Sequence, residues 1–258
     1  MFDELKILIH NGRQFIPDLR TAEISKPFRG RPEISTAKVD EKQLVELCPT
    51  SAISANPVKI DLGRCTFCGE CAFRFPEKIS FTNDYKLATN STERLIIFEG
   101  QNSPVNIDEQ KIRKEIKGIF NRSLKLRQVS AGGDNSAEYE LNACANANFD
   151  MGRYGIEFVA SPRHADGILL TGPITENMAE ALEIVYKAVP EPKVFILCGT
   201  DAISGGIFSG SKALQRGFFE YVKVDLYIPG NPPHPLTIIN GLLDLTQSGR
   251  IRRKSSRV

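Results

Sequence analysis

The chain has 258 residues, 41% hydrophobic and 25% charged, an ordinary composition for a soluble protein and long enough for two domains. A net charge of +2 gives no reason to expect a nucleic-acid partner, and no apolar run approaches the ~20 residues that span a bilayer. Six cysteines are present, three of them within seven residues; in a reducing compartment that crowding points to metal, not to disulfides.

Residues 1–35 read as an N-terminal helix and extended arm. Phe2, Leu5, Leu8 and Ile9 fall on one side of a short helix within residues 1–16. Asp3, Glu4, Lys6 and Arg13 interrupt that stretch, so it does not read as a signal peptide, and a cytoplasmic location is expected. Pro17, Pro27, Gly30 and Pro32 keep the following arm extended. Residues 36–100 hold four of the cysteines and end in a strand over Leu95–Phe98. Residues 101–122 form a linker and a helix from Asp108, a potential cap, to Phe120.

Residues 123–247 alternate short apolar runs with helical patterns. Strands are expected at Leu124–Val129, Ile156–Ala160, Gly167–Thr171, Lys193–Cys198 and Lys223–Ile228, and helices at Glu176–Ala188 and Pro235–Leu245. That alternation is the signature of an α/β parallel sheet covered on both faces. Polar, Gly-rich loops follow several strands, at 132–135, 172–175, 199–206 and 230–233, where open α/β sheets place ligands. Residues 248–258 are a basic tail, read as a solvated end or as a contact for acidic partners or lipid headgroups.

The strong motif is Cys65-Thr-Phe-Cys68-Gly-Glu-Cys71. Three thiolates at this spacing can wrap three corners of an iron–sulfur cube. The ferredoxin run would continue to a fourth Cys and a Pro; here Pro76 is present and the Cys position is Phe75. In two-cluster ferredoxins that fourth Cys serves the other cluster, so the missing ligand comes from an earlier Cys-Pro, and Cys48-Pro49 fits. Counting back from Cys48 at the same offsets gives Lys38, Glu41 and Leu44, none a thiolate. One complete ligand set is therefore kept, Cys48, Cys65, Cys68 and Cys71, and another is lost entirely. A four-thiolate zinc site is the rival, though zinc more often uses two separated Cys pairs. Elsewhere no nucleophile pairs with His164 and Asp166, no phosphate-loop pattern is complete, and no catalytic residue is assigned.

Residues 122–247 resemble the small subunit shared by respiratory complex I and membrane-bound, energy-converting NiFe hydrogenases of the formate hydrogenlyase type (group 4). The resemblance rests on Arg122-Ser-Leu, Arg153-Tyr-Gly-Ile, Ser161-Pro-Arg-His-Ala-Asp, Thr171-Gly-Pro-Ile-Thr, Ala202-Ile-Ser-Gly-Gly-Ile-Phe and Tyr227-Ile-Pro-Gly-Asn-Pro-Pro. Residues 1–90, with Phe28-Arg-Gly-Arg-Pro-Glu, resemble the ferredoxin-like subunit of the same complexes. The resemblance implies a fusion: an α+β ferredoxin-like domain with one 4Fe-4S cluster, then an α/β flavodoxin-like domain. It also implies large-subunit and membrane-arm partners, a peripheral position on the cytoplasmic membrane face through them, and a role in electron transfer.

The family's C-terminal unit binds its own cubane cluster. At the matching cysteine positions this chain has Asp134, Ala137, Asp201 and Asn231, with the following glutamate kept as Glu140. Cys144 and Cys198 do not restore a set and read as packing residues. This half is therefore expected to bind no iron–sulfur cluster. A hydrogen-bonded polar plug, joined by Asn135 and Ser136, is the expected filling; a hard cation is the alternative. Because the family's electron path ends at the lost cluster, a non-conducting structural or redox-sensing docking subunit is the alternative function.

Overall fold

The computed structural model describes residues 2–12, 14–120 and 123–246. Arg122 and the basic tail at 248–258 lie outside the described residues.

Helix α1 (Phe2–Asn11) is fully exposed, apolar side included. The arm after it is not a free tether. The amide of Ile16 donates to Asn148 O (2.9 Å), and Arg153 Nη2 donates to Ile16 O (2.5 Å). Leu19 is completely buried, and its carbonyl accepts from Tyr85 Oη (3.2 Å) and Asn240 Nδ2 (2.9 Å). Arg20 pairs with Asp244 at 2.6 Å. The prolines keep this segment extended, and extension lets one apolar side chain reach the core of the distant half.

The arm ends in β1 (Pro32–Ile34). There follow α2 (Glu41–Glu46), capped by Asp40 on the amide of Gln43, then β2 (Ile53–Ser54), β3 (Lys59–Asp61), α3 (Glu70–Arg74), β4 (Ile79–Phe81) and β5 (Ile96–Phe98). These strands make two antiparallel sheets, β1–β4 and β2–β3–β5. Their shared core includes Ile34, Leu44, Ile60, Phe75, Ile79 and Ile97. Lys78 is 2% exposed; its ammonium bonds Glu99 Oε1 (2.7 Å) and Ala37 O (2.8 Å), joining the end of β5 to the loop before α2.

The strand expected at Leu95–Phe98 begins one residue later, because Thr92–Leu95 close a 3₁₀ turn. The helix expected from Asp108 begins only at α4 (Lys114–Ile119). The Asp108 carboxylate accepts from the amide of Gln110 (3.0 Å), but only a turn follows, and Asn90 holds the Asp108 backbone by a reciprocal pair of bonds. Arg113 is fixed in an extended conformation while its guanidinium grips Asp225 with two 2.9 Å bonds. Those long-range partners override the local helix signal.

The second half carries β6 (Leu124–Ser130), α5 (Ser136–Cys144), β7 (Ile156–Phe158), β8 (Gly167–Thr171), α6 (Glu176–Ala188), β9 (Val194–Cys198), α7 (Thr200–Ser204), β10 (Leu226–Ile228) and α8 (Pro235–Thr246). All five strands are parallel, in the order β10-β9-β8-β6-β7. Counted within this half, that is the 2-1-3-4-5 order of flavodoxin-like sheets read from the other edge. Every residue of β8 and β9 is buried, as parallel strands covered on both faces require. Leu169 and Ile196 pack with residues of α4, α5 and α8, whereas Ile168, Leu170 and Phe195 pack with Leu182 of α6. Helix α5 has no counterpart in the sequence pattern, since its buried positions include Glu138.

The halves are packed together. Thr89 and Tyr227 form an antiparallel bridge, and Ile203 of α7 joins the N-terminal core. Leu19→Ala leaves the arm's backbone bonds in place but opens a cavity. It is expected to lower stability by about 2–5 kcal/mol, read from the urea unfolding midpoint.

Candidate metal centre

Cys48 follows α2 directly, while Cys65, Cys68 and Cys71 lie on the turn between β3 and α3 and on the first turn of α3 itself. That turn is wound by two left-handed residues, Phe67 (φ 54°) and Gly69 (φ 82°). Gly69 is needed there because a Cβ would also crowd the Cδ of Arg29 at 3.0 Å. Arg29 Nε donates to Phe67 O at 2.5 Å and clamps the turn from the arm.

All four cysteines line one pocket, with Ile53, Ile60 and Phe81 in its wall. Cys68 is exposed and the other three are half-buried. Ala52 N–H points at Cys48 Sγ (3.2 Å) and Phe67 N–H at Cys65 Sγ (3.4 Å). Burial, then the neighbouring thiols, push Cys65 up to about 12; burial and Cys68 push Cys71 up to about 11. A bound metal would reverse that, since it holds its thiol ligands deprotonated. No group of three or more His, Cys, Asp or Glu among the described residues is placed to hold a metal ion directly. The pocket brings the four cysteines around one space.

At the lost N-terminal positions, Leu44 and Phe75 are buried in the same apolar core. Lys38 is exposed, and Glu41 accepts from the amide of Asn56 (3.3 Å).

Asp134, Ala137, Asp201 and Asn231 also converge on one small pocket. They come from the segments that follow β6, β9 and β10, at the carboxyl end of the sheet, and Gly172 after β8 completes the wall. The pocket thus sits at the β6/β8 switch point, where strand order reverses. The filling is only half of the expected plug. Asp134 Oδ1 accepts from Ser136 N (3.0 Å) and Oγ (2.6 Å), which holds its carboxyl below the usual range. Glu138 is buried and accepts from the hydroxyls of Ser130 and Thr171. Asp201, however, is buried with no hydrogen-bond partner on Oδ1. Desolvation, then Asp134 and Glu138, push its carboxyl up to about 6.

Cys144 and Cys198 are completely buried. Cys144 faces Pro235 O at 3.9 Å, and Cys198 touches the wall of the second pocket. His164 is exposed on a 3₁₀ turn, while Asp166 receives the amide of Lys125 (2.7 Å) to start the sheet. Thr200 carries no sequence signal of its own. Its hydroxyl meets Cys65 O (2.9 Å) and Gly230 O (3.2 Å), so it joins the two pockets.

Comparison with known proteins places the second half. The family described as NADH ubiquinone oxidoreductase, 20 Kd subunit, matches residues 135–245. An uncharacterised protein of Methanocaldococcus jannaschii, MJ0516, is 40% identical over 50% of this chain and 86% of its own length. The "Probable membrane-bound hydrogenase subunit mbhJ" of Pyrococcus furiosus is 32% identical over 54% of this chain and 84% of its own. An NADH-quinone oxidoreductase subunit of Heliobacterium modesticaldum is 39% identical over 52% of this chain and 78% of its own. Among the described residues, no helix is long and apolar enough to cross a membrane.

The Asp201 carboxyl fixes a pH dependence. Its folded pKa of about 6 lies above the ordinary 3.8, so between these values the folded state binds more protons than the unfolded one. Stability from this group is full below about pH 4 and falls as pH rises through 6. In metal-free buffer, Asp201→Asn is expected to raise stability at pH 7 by about 1–3 kcal/mol and to leave it unchanged at pH 4. Denaturant melts at the two pH values check both signs.

Proposed function

The chain belongs to the NADH ubiquinone oxidoreductase 20 kDa subunit family, and from that we propose that it is an iron–sulfur subunit of a membrane-associated, complex I-like or hydrogenase-like oxidoreductase. In this reading it is a fusion, its ferredoxin-like N-terminal domain holding one 4Fe-4S cluster on Cys48, Cys65, Cys68 and Cys71. Its partners are the large-subunit and membrane-arm proteins of such an assembly, which hold it at the cytoplasmic membrane face. Relatives that carry hydrogenase and quinone-oxidoreductase names support the kind of assembly.

The observation that carries the cluster is the convergence of all four cysteines on one pocket. The donor set is soft and all-sulfur, as iron–sulfur clusters require. A four-thiolate zinc site is the rival, and zinc more often uses two separated Cys pairs. When bound, such a cluster accepts and releases single electrons. The chain's own groups set the conditions. The amides of Ala52 and Phe67 are aimed at two sulfurs, and amides so placed favour the more negative state. Ile53, Ile60 and Phe81 keep water from one side, and the exposed Cys68 marks the face nearest solvent.

A second reading rests on a specific observation. The pocket at the sheet switch point, where the family resemblance puts a cluster, is lined by Asp134, Ala137, Asp201 and Asn231 and offers no thiolate set. A chain without that station would dock its partners without passing electrons on, its remaining cluster acting as a fold staple or redox sensor.

Anaerobically reconstituted protein is expected to carry about four irons and four sulfides per chain. Cys48→Ala or Cys65→Ala should abolish the cluster absorbance, while Cys144→Ala should leave it intact. About eight irons per chain would refute the single-cluster assignment. Potentiometry with paramagnetic resonance separates the two readings. Reversible reduction, with reoxidation on adding the partner complex, supports electron transfer; a cluster that cannot be reduced without unfolding supports the docking role.

A further inference from the structure

The arm segment Phe28-Arg-Gly-Arg-Pro-Glu touches both halves of the molecule. Phe28 packs against the core of the second half, its ring centroid 5.4 Å from that of His234, just before α8. On the other side, Gly30 N–H donates to Thr82 O (2.7 Å) and Arg31 N–H to Asp84 O (2.9 Å). The contact there is tight, since a Cβ on Gly30 would fall 2.2 Å from Asp84 O. The side chain of Arg29 is exposed, but the backbone that carries it is therefore fixed on both sides.

From that position Arg29 meets the cysteine turn at the two residues that flank Cys68. Nε donates to Phe67 O (2.5 Å), and a Cβ on Gly69 would fall 3.0 Å from the Arg29 Cδ. Phe67 and Gly69 are the left-handed residues of the turn. Left-handed backbone is unfavourable for a bulky residue and persists only where its surroundings over-determine it. Phe67 has two such anchors. Its ring is buried, with its centroid 6.2 Å from that of Phe81, and its carbonyl is held by Arg29. The consequence falls on its amide, which points at Cys65 Sγ (3.4 Å).

We propose that Arg29 is a positioning residue for the cysteine site: by holding Phe67 O it keeps the Phe67 amide on Cys65 Sγ, and so sets how tightly the empty turn closes and the reduction potential of the group held there. Hydrogen bonds to the sulfurs and local charge both set such potentials. An amide aimed at a sulfur and a cation beside the turn each favour the more negative, reduced state. The effect on potential rests on the 4Fe-4S reading of this site; the closure of the turn does not.

The test uses the full chain with Arg29→Met, which keeps the stem but removes the donor and the charge, and Arg29→Lys, which restores both in part. In anaerobically reconstituted protein of equal iron and sulfide content, Arg29→Met is expected to make the midpoint potential more negative by ~30 mV or more, about threefold in the one-electron equilibrium. Arg29→Lys should fall between Arg29→Met and wild type. A merely structural role would lower Tm without moving the potential, so an unmoved potential in Arg29→Met overturns the proposal. The cluster-free chains give a second readout. Alkylation of Cys65, located by peptide mass, should be at least threefold faster in Arg29→Met than in wild type, while the completely buried Cys144 reacts alike in both. Equal rates at Cys65 overturn the clamp even if Arg29→Met takes up no cluster. A wild-type chain that takes up no cluster sinks the electron-transfer reading instead, and the alkylation rates still decide the role of Arg29.

Discussion

Thr200 stands at the first turn of α7, and both its amide and its hydroxyl meet Gly230 O, at 2.8 and 3.2 Å. The same hydroxyl reaches across to Cys65 O at 2.9 Å. This one residue ties the cysteine turn of the N-terminal half to the carboxyl end of the parallel sheet. The Thr89–Tyr227 bridge and Ile203, inserted into the N-terminal core, keep the junction in register. From the far side the arm does the same through Leu19, whose carbonyl is held by Tyr85 and Asn240. The N-terminal unit is small, with strands of only two or three residues, and small cores are marginal on their own. Its seat on the second half supplies the packing that it lacks.

That junction puts the two pockets side by side with opposite chemistry. One is lined by four sulfurs and apolar side chains, with main-chain amides aimed at two of the sulfurs. The other is lined mainly by carboxylates, an amide and glycines, with the buried Cys198 in its wall. Soft donors and hard donors favour different ions, so the two pockets differ in what they could hold. Asp201 follows Thr200 directly in sequence, and its Oδ1 is enclosed against Gly206 with no hydrogen-bond partner.

Much of this architecture was legible from local pattern. The runs at 167–171, 193–198 and 235–245 announced buried strands and a buried helix, because a parallel sheet buries both faces and leaves continuous apolar sequence. Helix α5 escaped because Glu138 interrupts its apolar stripe, and only the hydroxyls of Ser130 and Thr171, from neighbouring strands, make that burial tolerable. The start of α4 was misplaced for a similar reason. The Asp108 carboxylate accepts from the amide of Gln110 as a cap would, but it opens only a turn, because Asn90 holds the Asp108 backbone and Arg113 is drawn to Asp225, far along the chain in the second half.

The sequence by itself determined which residues could serve as ligands. The spacing of Cys65, Cys68 and Cys71, the isolated Cys48-Pro49, and the absence of thiols at Asp134, Ala137, Asp201 and Asn231 are all readable in one dimension. Ligand chemistry depends on residue type and close spacing, and both are local. Only the tertiary structure decided how the vacated positions were filled. Leu44 and Phe75 vanish into a core, whereas Asp201 is enclosed with one oxygen unpartnered. Burial and hydrogen bonding depend on what the rest of the chain brings to a point, and around Asp201 that was settled by loops from four separate strands.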